Sequence, residues 1–359
     1  MGRKKGSIDI TLLIVVIILV LFGLVTLLST SAYNGQVKFD DPAYYFKKQL
    51  FAAALGFAAM YVISRMDYHI LERWAFPVYL VSLALSGLVL VVGDSINGSK
   101  RWLSFGPLSF QPSEFAKLAV ILVLARTISR KSGKKQGILE LFRILILVLP
   151  IVGLVGSNNL STAVIILGIA VILVFISNPR YLPFLGLMAL GVGFIAVFLG
   201  MESYRLERLA IWRDPESYEK GFQTIQGLYA IGSGGLFGNG LGESIQKLGF
   251  VPEAQNDMIF SIICEELGLV GAGILILVFL LLIWRFMVSA EHAQDLFGSL
   301  ISAGVMAHIA IQVILNVAVV TNTIPNTGIT LPFVSYGGTS FLFLLSEMGL
   351  VLSVSRWQK

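Results

Sequence analysis

Repeated apolar runs of membrane-spanning length constrain this fold more than any other feature of the sequence. A helix needs about 20 mostly apolar residues to cross the hydrocarbon core of a bilayer. The 359 residues are 56% hydrophobic and only 13% charged. Ten apolar segments lie near 10–30, 48–64, 75–93, 113–129, 138–156, 160–177, 182–200, 258–288, 297–320 and 337–355. We therefore predict an all-α polytopic integral membrane protein with ten transmembrane helices, in which residues 1–359 form a single domain.

The basic residues at the two ends predict the orientation of this bundle. Arg3, Lys4 and Lys5 precede the first segment, and Arg356 and Lys359 follow the last. Cytoplasmic loops carry an excess of Lys and Arg, so both termini are expected to be cytoplasmic. Orientation and contact with anionic membrane lipid explain the net charge of +5, and no nucleic acid partner is expected.

With this orientation, one large extracytoplasmic loop, about residues 202–257, joins helices 7 and 8. It holds five basic and eight acidic residues, a net charge of −3, which is not typical of a simple phosphate-binding patch. Its glycine-dense middle suits backbone that packs closely against helices or dips into the edge of the membrane. The glycines match neither a P-loop nor a Rossmann spacing. The His and Cys residues are scattered, so no metal site is predicted.

Four carboxylates surround the junction between this loop and the eighth apolar segment. Glu253 and Asp257 precede the segment, and Glu265 and Glu266 lie inside it. Ionisable groups at or below a membrane surface usually face a protein interior or a wet cavity and are functional. Asp257 also suits the first turn of a helix, where a carboxylate acts as an N-cap. The residues alone leave both interpretations of Asp257 open.

A second polar group follows the third apolar segment. Pro112 fits the first position of a helix, which places Glu114 in its first turn and Lys117 one turn inside. The two side chains could form an ion pair on one helix face. The cost of a lysine below the interface favours a cation that lines a cavity and faces an anionic head group. Arg101 lies just before this helix and offers charge to a phosphate.

The remaining candidates lie in the large loop and before the last segment. Arg205 and Arg208 are one helical turn apart, and guanidinium groups match phosphate oxygens. Pairing with acidic residues of the same loop is the alternative. Ser335 and Tyr336 lie beside a Gly-Gly break, where a structural re-entry and a substrate contact are both open.

Four stretches together resemble the SEDS family (shape, elongation, division and sporulation proteins), specifically its FtsW, RodA and SpoVE group. They read NGSKRWLSFGPLSFQPSEFAKLA, GFQTIQGLYAIGSGGLFGNGLGESIQK, VPEAQNDMIFSIICEELG and TGITLPFVSYGGTS. The last is closer to the FtsW and SpoVE branch than to RodA. The resemblance covers nearly the whole chain and implies a SEDS-type membrane domain of ten helices.

The resemblance also implies an activity. Members are peptidoglycan glycosyltransferases that polymerise lipid II on the outer face of the bacterial cytoplasmic membrane, in division, elongation or sporulation. Their partner is a class B penicillin-binding protein, a transpeptidase, and their donor is an undecaprenyl-pyrophosphate-linked glycan. The family's essential aspartate falls on Asp257, which we expect to be the catalytic base. A divalent cation, Mg²⁺ or Mn²⁺, could help to neutralise the pyrophosphate, although no ligand set in the sequence indicates one.

The expected substrate-binding set contains the polar residues described above. They are Arg101, Glu114, Lys117, Arg205, Arg208, Glu253, Glu265, Ser335 and Tyr336. Two positions depart from the family pattern. Asn159 replaces a carboxylate, and Asn256 replaces the threonine that usually precedes the essential aspartate. A lipid II flippase and a non-catalytic scaffold remain as alternatives. Polar residues concentrated in the outer half of the bundle argue against transport.

Overall fold

The computed structural model describes residues 7–96, 99–105, 108–130, 138–177 and 203–357, with scattered residues between 185 and 200. Most of the described chain is helical. The helices are α1 (Ile10–Phe39), α2 (Tyr44–Arg65), α3 (His69–Val92), α4 (Pro112–Ser129), α5 (Ile138–Asn158), α6 (Leu160–Ser177), α7 (Ser203–Arg213), α8 (Phe222–Ser233), α9 (Ile259–Glu291), α10 (Leu296–Val320) and α11 (Gly338–Arg356). Two 3-10 turns, Pro215–Ser217 and Glu219–Gly221, connect α7 to α8.

The long apolar helices make this a multi-pass membrane protein. Within the described chain, seven helices are long and apolar enough to cross a bilayer, namely α1, α2, α3, α6, α9, α10 and α11. Helices α4 and α5 also coincide with predicted apolar segments, and α4 is more polar because it contains Glu114 and Lys117. The predicted seventh segment, 182–200, lies outside the continuously described residues.

The all-α expectation needs one correction, because three short strands lie between α3 and α4. They are β1 (Asp94–Ile96), β2 (Ser99–Phe105) and β3 (Leu108–Phe110), paired antiparallel in that order. Leu103 pairs with Phe110, and Phe105 pairs with Leu108. The pairing satisfies backbone groups of a segment that would otherwise leave them unbonded near the membrane. β1 and β3 are only three residues long, and the seven residues of β2 do not alternate regularly between apolar and polar, so the sequence did not reveal these strands.

Helix α4 lies at the centre of the bundle. It packs against α3, α6 and α10, and 13 of its 18 residues are buried. A helix that is buried on all faces carries apolar residues all round, as Ala116, Val120, Ile121 and Leu124 show. Because Lys117 belongs to this helix, its ammonium group lies inside protein rather than in lipid.

Helix α9 is broken at Gly268, whose backbone angles are φ 67° and ψ −169°. The glycine-rich part of the large loop fills the break. The N–H groups of Asn239 and Gly240 donate to the carbonyl oxygens of Glu265 and Glu266, at 3.0 Å each. In return, Leu269 and Val270 donate to the carbonyl oxygens of residues 235 and 236, at 2.9 and 3.0 Å. The loop therefore replaces the hydrogen bonds that the helix loses, which confirms the predicted close backbone packing.

Candidate active site

Asp257 lies two residues before α9 and is partly exposed. Met258 occupies the N-cap position of the helix. The Asp257 carboxylate instead accepts a long hydrogen bond, 3.4 Å, from Nε2 of Gln223 in α8. Met258 rather than Asp257 is therefore the N-cap residue, and the Asp257 carboxylate contacts the large loop.

The backbone of Asp257 is held by α10 and by the segment that follows it. Nδ2 of Asn316 donates to the carbonyl oxygen of Asp257 at 2.9 Å and to that of Ile329 at 2.7 Å. Gly328 has φ 69°, and a Cβ atom there would lie 3.8 Å from Oδ2 of Asp257. The carboxylate therefore faces a glycine, and no side chain at position 328 covers it.

The surroundings of Asp257 raise its pKa from 3.8 to about 6. Removal from water is the largest cause, because it disfavours the charged form. The negative charge of Glu253 adds to the increase, whereas Arg208 and Gln223 oppose it. A carboxylate with a pKa near 6 is still ionised at neutral pH and is a stronger base than an ordinary aspartate.

Arg208 and Glu253 act electrostatically on this carboxylate, and Glu253 in turn pairs with a lysine of α1. Arg208 of α7 donates from Nη1 to the carbonyl oxygen of Asn326 at 3.2 Å. Glu253, with φ 53°, forms an ion pair with Lys38 of α1 at 3.4 Å. Lys38 is a cation that the sequence analysis missed, because 215 residues separate it from Glu253. Arg205 also belongs to α7, but its side chain lies outside the described part of the structure.

The Glu114–Lys117 ion pair exists and is buried. Nζ of Lys117 lies 3.0 Å from Oε1 of Glu114 and donates to Oε1 of Gln312 at 3.2 Å. Nε2 of Gln312 then donates to the carbonyl oxygen of Thr330 at 3.0 Å. Gln312 and Asn316 are one turn apart on α10 and hold adjacent residues, Thr330 and Ile329. The ion pair is thereby connected to the segment that contacts Asp257.

Glu265 and Arg101 make their described contacts away from Asp257. Glu265 accepts a short hydrogen bond from the hydroxyl of Ser244 and another, at 3.0 Å, from the N–H of Ile245. It therefore fixes the large loop on α9. Arg101 donates from Nε to the carbonyl oxygen of Asn158 at 2.9 Å and so joins β2 to the end of α5.

Ser335 and Tyr336 form part of the turn that leads into α11. The hydroxyl of Ser335 accepts from the N–H of Leu331 at 2.8 Å. The ring of Tyr336 packs edge-on against Tyr45, with 5.0 Å between centroids. Burial raises the pKa of Tyr336 to about 12, so its hydroxyl keeps its proton at neutral pH. These contacts give both residues a structural part in the turn, and a contact with substrate stays a prediction.

The two departures from the family motifs have local roles. Oδ1 of Asn159 accepts from the N–H of Thr162 at 3.2 Å and caps α6. Asparagine caps a helix about as well as aspartate, so the cap is kept while a negative charge is lost. Nδ2 of Asn256 donates to Oε2 of Glu253 at 2.5 Å and steadies that carboxylate beside Asp257.

Comparison with known proteins finds members of the FtsW, RodA and SpoVE group, which the motifs also resemble, over nearly the full chain. Residues 9–359 match the profile of the family described as Cell cycle protein, which groups FtsW, RodA and SpoVE. The chain is 40% identical over 375 residues to stage V sporulation protein E of Bacillus subtilis, covering 100% of both chains. It is 37% identical over 360 residues to the probable peptidoglycan glycosyltransferase FtsW of Trichlorobacter lovleyi, covering 98% and 94% of the two chains.

Solved structures of similar proteins support the same family. A chain from a peptidoglycan synthase complex that coordinates polymerization and crosslinking superposes with a TM-score of 0.82 at 31% identity, covering 98% of both chains. The rod shape determining protein RodA of Thermus thermophilus gives a TM-score of 0.74 at 30% identity, covering 98% and 99%. With its RodA-like membrane fold and the profile match over residues 9–359, this chain belongs to the FtsW, RodA and SpoVE family, the SEDS family that its motifs resemble.

Proposed function

We propose that this chain is a peptidoglycan glycosyltransferase that polymerises lipid II on the outer face of the cytoplasmic membrane. The observation that carries the proposal is the carboxylate of Asp257, whose pKa is raised to about 6 at a partly exposed position. Arg208 lies beside it, and the buried Lys117 is connected to it through α10. A relative that is named probable peptidoglycan glycosyltransferase FtsW, and that matches over 94% of its length, supports the same class of enzyme.

In the proposed reaction, Asp257 is the general base. The acceptor is the 4-hydroxyl of the incoming lipid II glucosamine unit, and the donor is the growing strand on undecaprenyl pyrophosphate. The hydroxyl oxygen attacks the anomeric carbon of the donor while Asp257 takes the hydroxyl proton. The bond from that carbon to the pyrophosphate oxygen breaks, and undecaprenyl pyrophosphate leaves. Attack opposite the leaving group inverts the anomeric carbon and gives the β-linkage.

Positive charge is needed where the pyrophosphate leaves. Lys117 and Arg208 are the proposed cations for this task, acting by electrostatic stabilisation. Glu114 holds Lys117 in place, and Glu253 raises the basicity of Asp257. A divalent cation, Mg²⁺ or Mn²⁺, brought with the pyrophosphate could share the charge. No group of three His, Cys, Asp or Glu side chains in the described residues is arranged to hold a metal by itself.

The other residues of the predicted set have supporting parts in this proposal. Glu265 orders the loop, whereas Ser335 and Tyr336 shape the turn before α11. Arg101 and Arg205 remain proposed contacts for the lipid-linked head groups.

The wider arrangement is part of the same proposal. The chain has ten transmembrane helices with the large loop, about 202–257, between helices 7 and 8, and both termini are cytoplasmic. Its partner is a class B penicillin-binding protein, and lipid II and membrane lipid surround it. Similarity to a chain of a peptidoglycan synthase complex supports such a partner.

The test is polymerisation of lipid II by the purified full chain, alone and with a class B penicillin-binding protein. We expect glycan strands from the wild-type protein and at least about 100-fold fewer from Asp257→Asn. Wild-type protein that forms no strands but moves labelled lipid II across vesicles would instead indicate a flippase. A wild-type protein that does neither, yet is required for the partner to work, would indicate a scaffold.

A further inference from the structure

A buried pair of a histidine and a glutamate lies beside Lys117, deeper in the bundle. Nδ1 of His308 in α10 lies 2.7 Å from Oε2 of Glu347 in α11, and both side chains are buried. Nε2 of the same histidine lies 2.8 Å from Oε1 of Gln312. That oxygen also accepts from Lys117. Four buried polar side chains thus form one continuous chain from the middle of α11 to the proposed pyrophosphate cation.

The direction of each hydrogen bond in this chain follows from its two ends. An ammonium group only donates, so the atom of Gln312 that faces Lys117 is the oxygen. The amide nitrogen of Gln312 donates to the carbonyl oxygen of Thr330, which fixes the same orientation independently. Because Oε1 of Gln312 is an acceptor, Nε2 of His308 must carry a proton.

A second proton must lie between Nδ1 of His308 and Oε2 of Glu347. Without it, two lone pairs would face each other at 2.7 Å inside the protein. Whether nitrogen or oxygen carries this proton, the pair has no net charge. Glu347 therefore keeps His308 in the form that donates to Gln312. Gln312 then holds one N–H of Lys117, and Glu114 holds a second.

We propose that His308 and Glu347 are positioning residues that aim the third N–H of Lys117 at an anionic group of the substrate. An ammonium group has three N–H donors, and the described contacts of Lys117 use two of them. The inference rests on the proposed function, in which Lys117 meets the pyrophosphate. It adds that the geometry of Lys117 depends on a histidine and a glutamate that do not touch the substrate.

This arrangement predicts that two substitutions of Glu347, to Gln and to Leu, affect substrate binding to different extents. In Glu347→Gln, the side-chain amide can donate to Nδ1 of His308, so Nε2 keeps its proton and the chain of bonds survives. In Glu347→Leu, nothing at this position fixes the histidine, and Gln312 loses a defined donor. Hydrogen-bond networks of this kind couple strongly, because each member orients the next.

The experiment measures binding of undecaprenyl pyrophosphate to the detergent-purified full chain, from the ligand-induced rise in melting temperature, and lipid II polymerisation beside it. We expect Glu347→Leu and His308→Leu to weaken binding about tenfold, since each leaves a buried partner unsatisfied. Glu347→Gln should stay within about threefold of wild type, because its hydrogen bonds are kept. In a Lys117→Met background, both leucine variants should have no further effect on binding.

Ser353→Ala is the matched control, because it removes a buried hydrogen bond from the same helix, to the carbonyl oxygen of Met66. It should lower the melting temperature without changing affinity. Leucine variants that weaken binding equally with and without Lys117, or a Glu347→Gln variant as weak as Glu347→Leu, would overturn the positioning role. A wild-type protein that binds the ligand through Lys117 but forms no glycan would refute the proposed function alone.

Discussion

Asp257 and Lys117 are both ionisable groups in a membrane protein, but they differ in burial and in the partners of their charged groups. Lys117 is 1% exposed and its charge is compensated by Glu114 and Gln312. Asp257 is partly exposed, and its side-chain hydrogen bond from Gln223 is long, so its charge is less well compensated. A buried charge with good partners holds a fixed geometry, whereas one with poor partners reacts readily with protons. The first suits a substrate clamp and the second suits a base.

The pKa of Asp257 predicts the acid side of the activity profile. Since the pKa is about 6, the base is ionised above pH 6, and kcat/KM should fall about tenfold per pH unit below it. Asp257→Asn should lower the rate by about 100-fold to 10,000-fold at pH 7. The exposed loop carboxylate Asp214, which accepts from Ser217, gives the control Asp214→Asn with an unchanged rate. A pH profile without this limb would exclude Asp257 as the base.

The raised pKa of Asp257 suits a catalytic base but lowers the stability of the folded protein at neutral pH. A folded-state pKa above the ordinary value of 3.8 means that the folded protein favours the protonated carboxyl. Its contribution to stability is present below pH 4 and is lost as the pH rises to about 6. Asp257→Asn should therefore melt at or above the wild-type temperature at pH 7, so that lost activity cannot be attributed to unfolding.

For individual residues, the sequence indicates contacts between partners that are near in the chain but not contacts between partners that are distant in it. The spacing of Glu114 and Lys117 allows the ion pair, because both lie on one helix face, and the sequence therefore offered it as one of two interpretations. Lys38 and Gln223 carried no signal, since only the folded chain brings them to Glu253 and Asp257. The hydrogen bond from Asn316 to the carbonyl oxygen of Asp257 joins residues 59 positions apart and could not be read from the sequence either.

Among the elements, the broken helix α9 connects the large loop to the site. Its first part, residues 259–267, begins two residues after Asp257 and ends at the break. Glu265 and Glu266 hold the loop on this part, Glu266 through an ion pair with Lys247 at 2.7 Å. The hydroxyl of Ser29 in α1 donates to the same Glu266 carboxylate at 2.8 Å. Residues 234–240 fill the break itself. A change at the break is therefore expected to reach Asp257 through one short helical segment.

Gly268→Ala tests this coupling. The backbone of Gly268 lies in a region that is essentially restricted to glycine, which costs a side chain about 1–3 kcal/mol. An added Cβ would also lie 2.4 Å from the N atom of Gly238 and 2.5 Å from the carbonyl oxygen of Leu236. We expect a lower melting temperature and reduced polymerisation per folded molecule, measured on the same purified sample.

The matched control is Gly273→Ala in the same helix, where an added Cβ meets nothing within 4 Å. Alanine favours a helix over glycine by about 1 kcal/mol, so this variant should be as stable as wild type or more so. If Gly268→Ala were as active and stable as Gly273→Ala, the loop would not depend on the break.

The sequence predicted the apolar helices well and the irregular elements poorly. Helices α1 to α6 and α9 to α11 coincide with predicted apolar segments, because a bilayer imposes a length and composition that are easily recognised. The break at Gly268 lies inside a long apolar run and was invisible. The glycine-dense loop predicted close packing, but its target on α9 depends on the tertiary fold.

For the whole molecule, the polar interior bears on the choice between catalysis and transport. The His308–Glu347 pair extends the polar residues to the middle of α10 and α11, deeper than the sequence analysis expected. Both side chains are nevertheless buried and bonded to each other, and apolar residues surround them. A transport path needs polar groups that face a wet passage. The deep pair therefore fits a fixed support for Lys117 better than a route for a head group.

Chemistry on lipid II outside the membrane requires the end of the bundle with Asp257 to face outwards, and cysteine labelling tests this orientation. The described chain offers two exposed positions at opposite ends, Lys220 before α8 and Glu291 at the end of α9. Lys220→Cys should be labelled by an impermeant thiol reagent in intact cells, because the large loop is expected to be extracytoplasmic. Glu291→Cys should be labelled only after lysis, since basic loops stay in the cytoplasm.

The wild-type chain is the control for this labelling, because its single cysteine, Cys264, is buried in α9 and should stay unlabelled in both conditions. The comparison of the two variants is internal, since the same helix α9 separates the loop that contains Lys220 from Glu291. Labelling of Glu291→Cys but not Lys220→Cys in intact cells would place Asp257 at the cytoplasmic surface. The proposed base could then not reach a strand that grows outside the membrane, and both the orientation and the reaction assigned to Asp257 would be wrong.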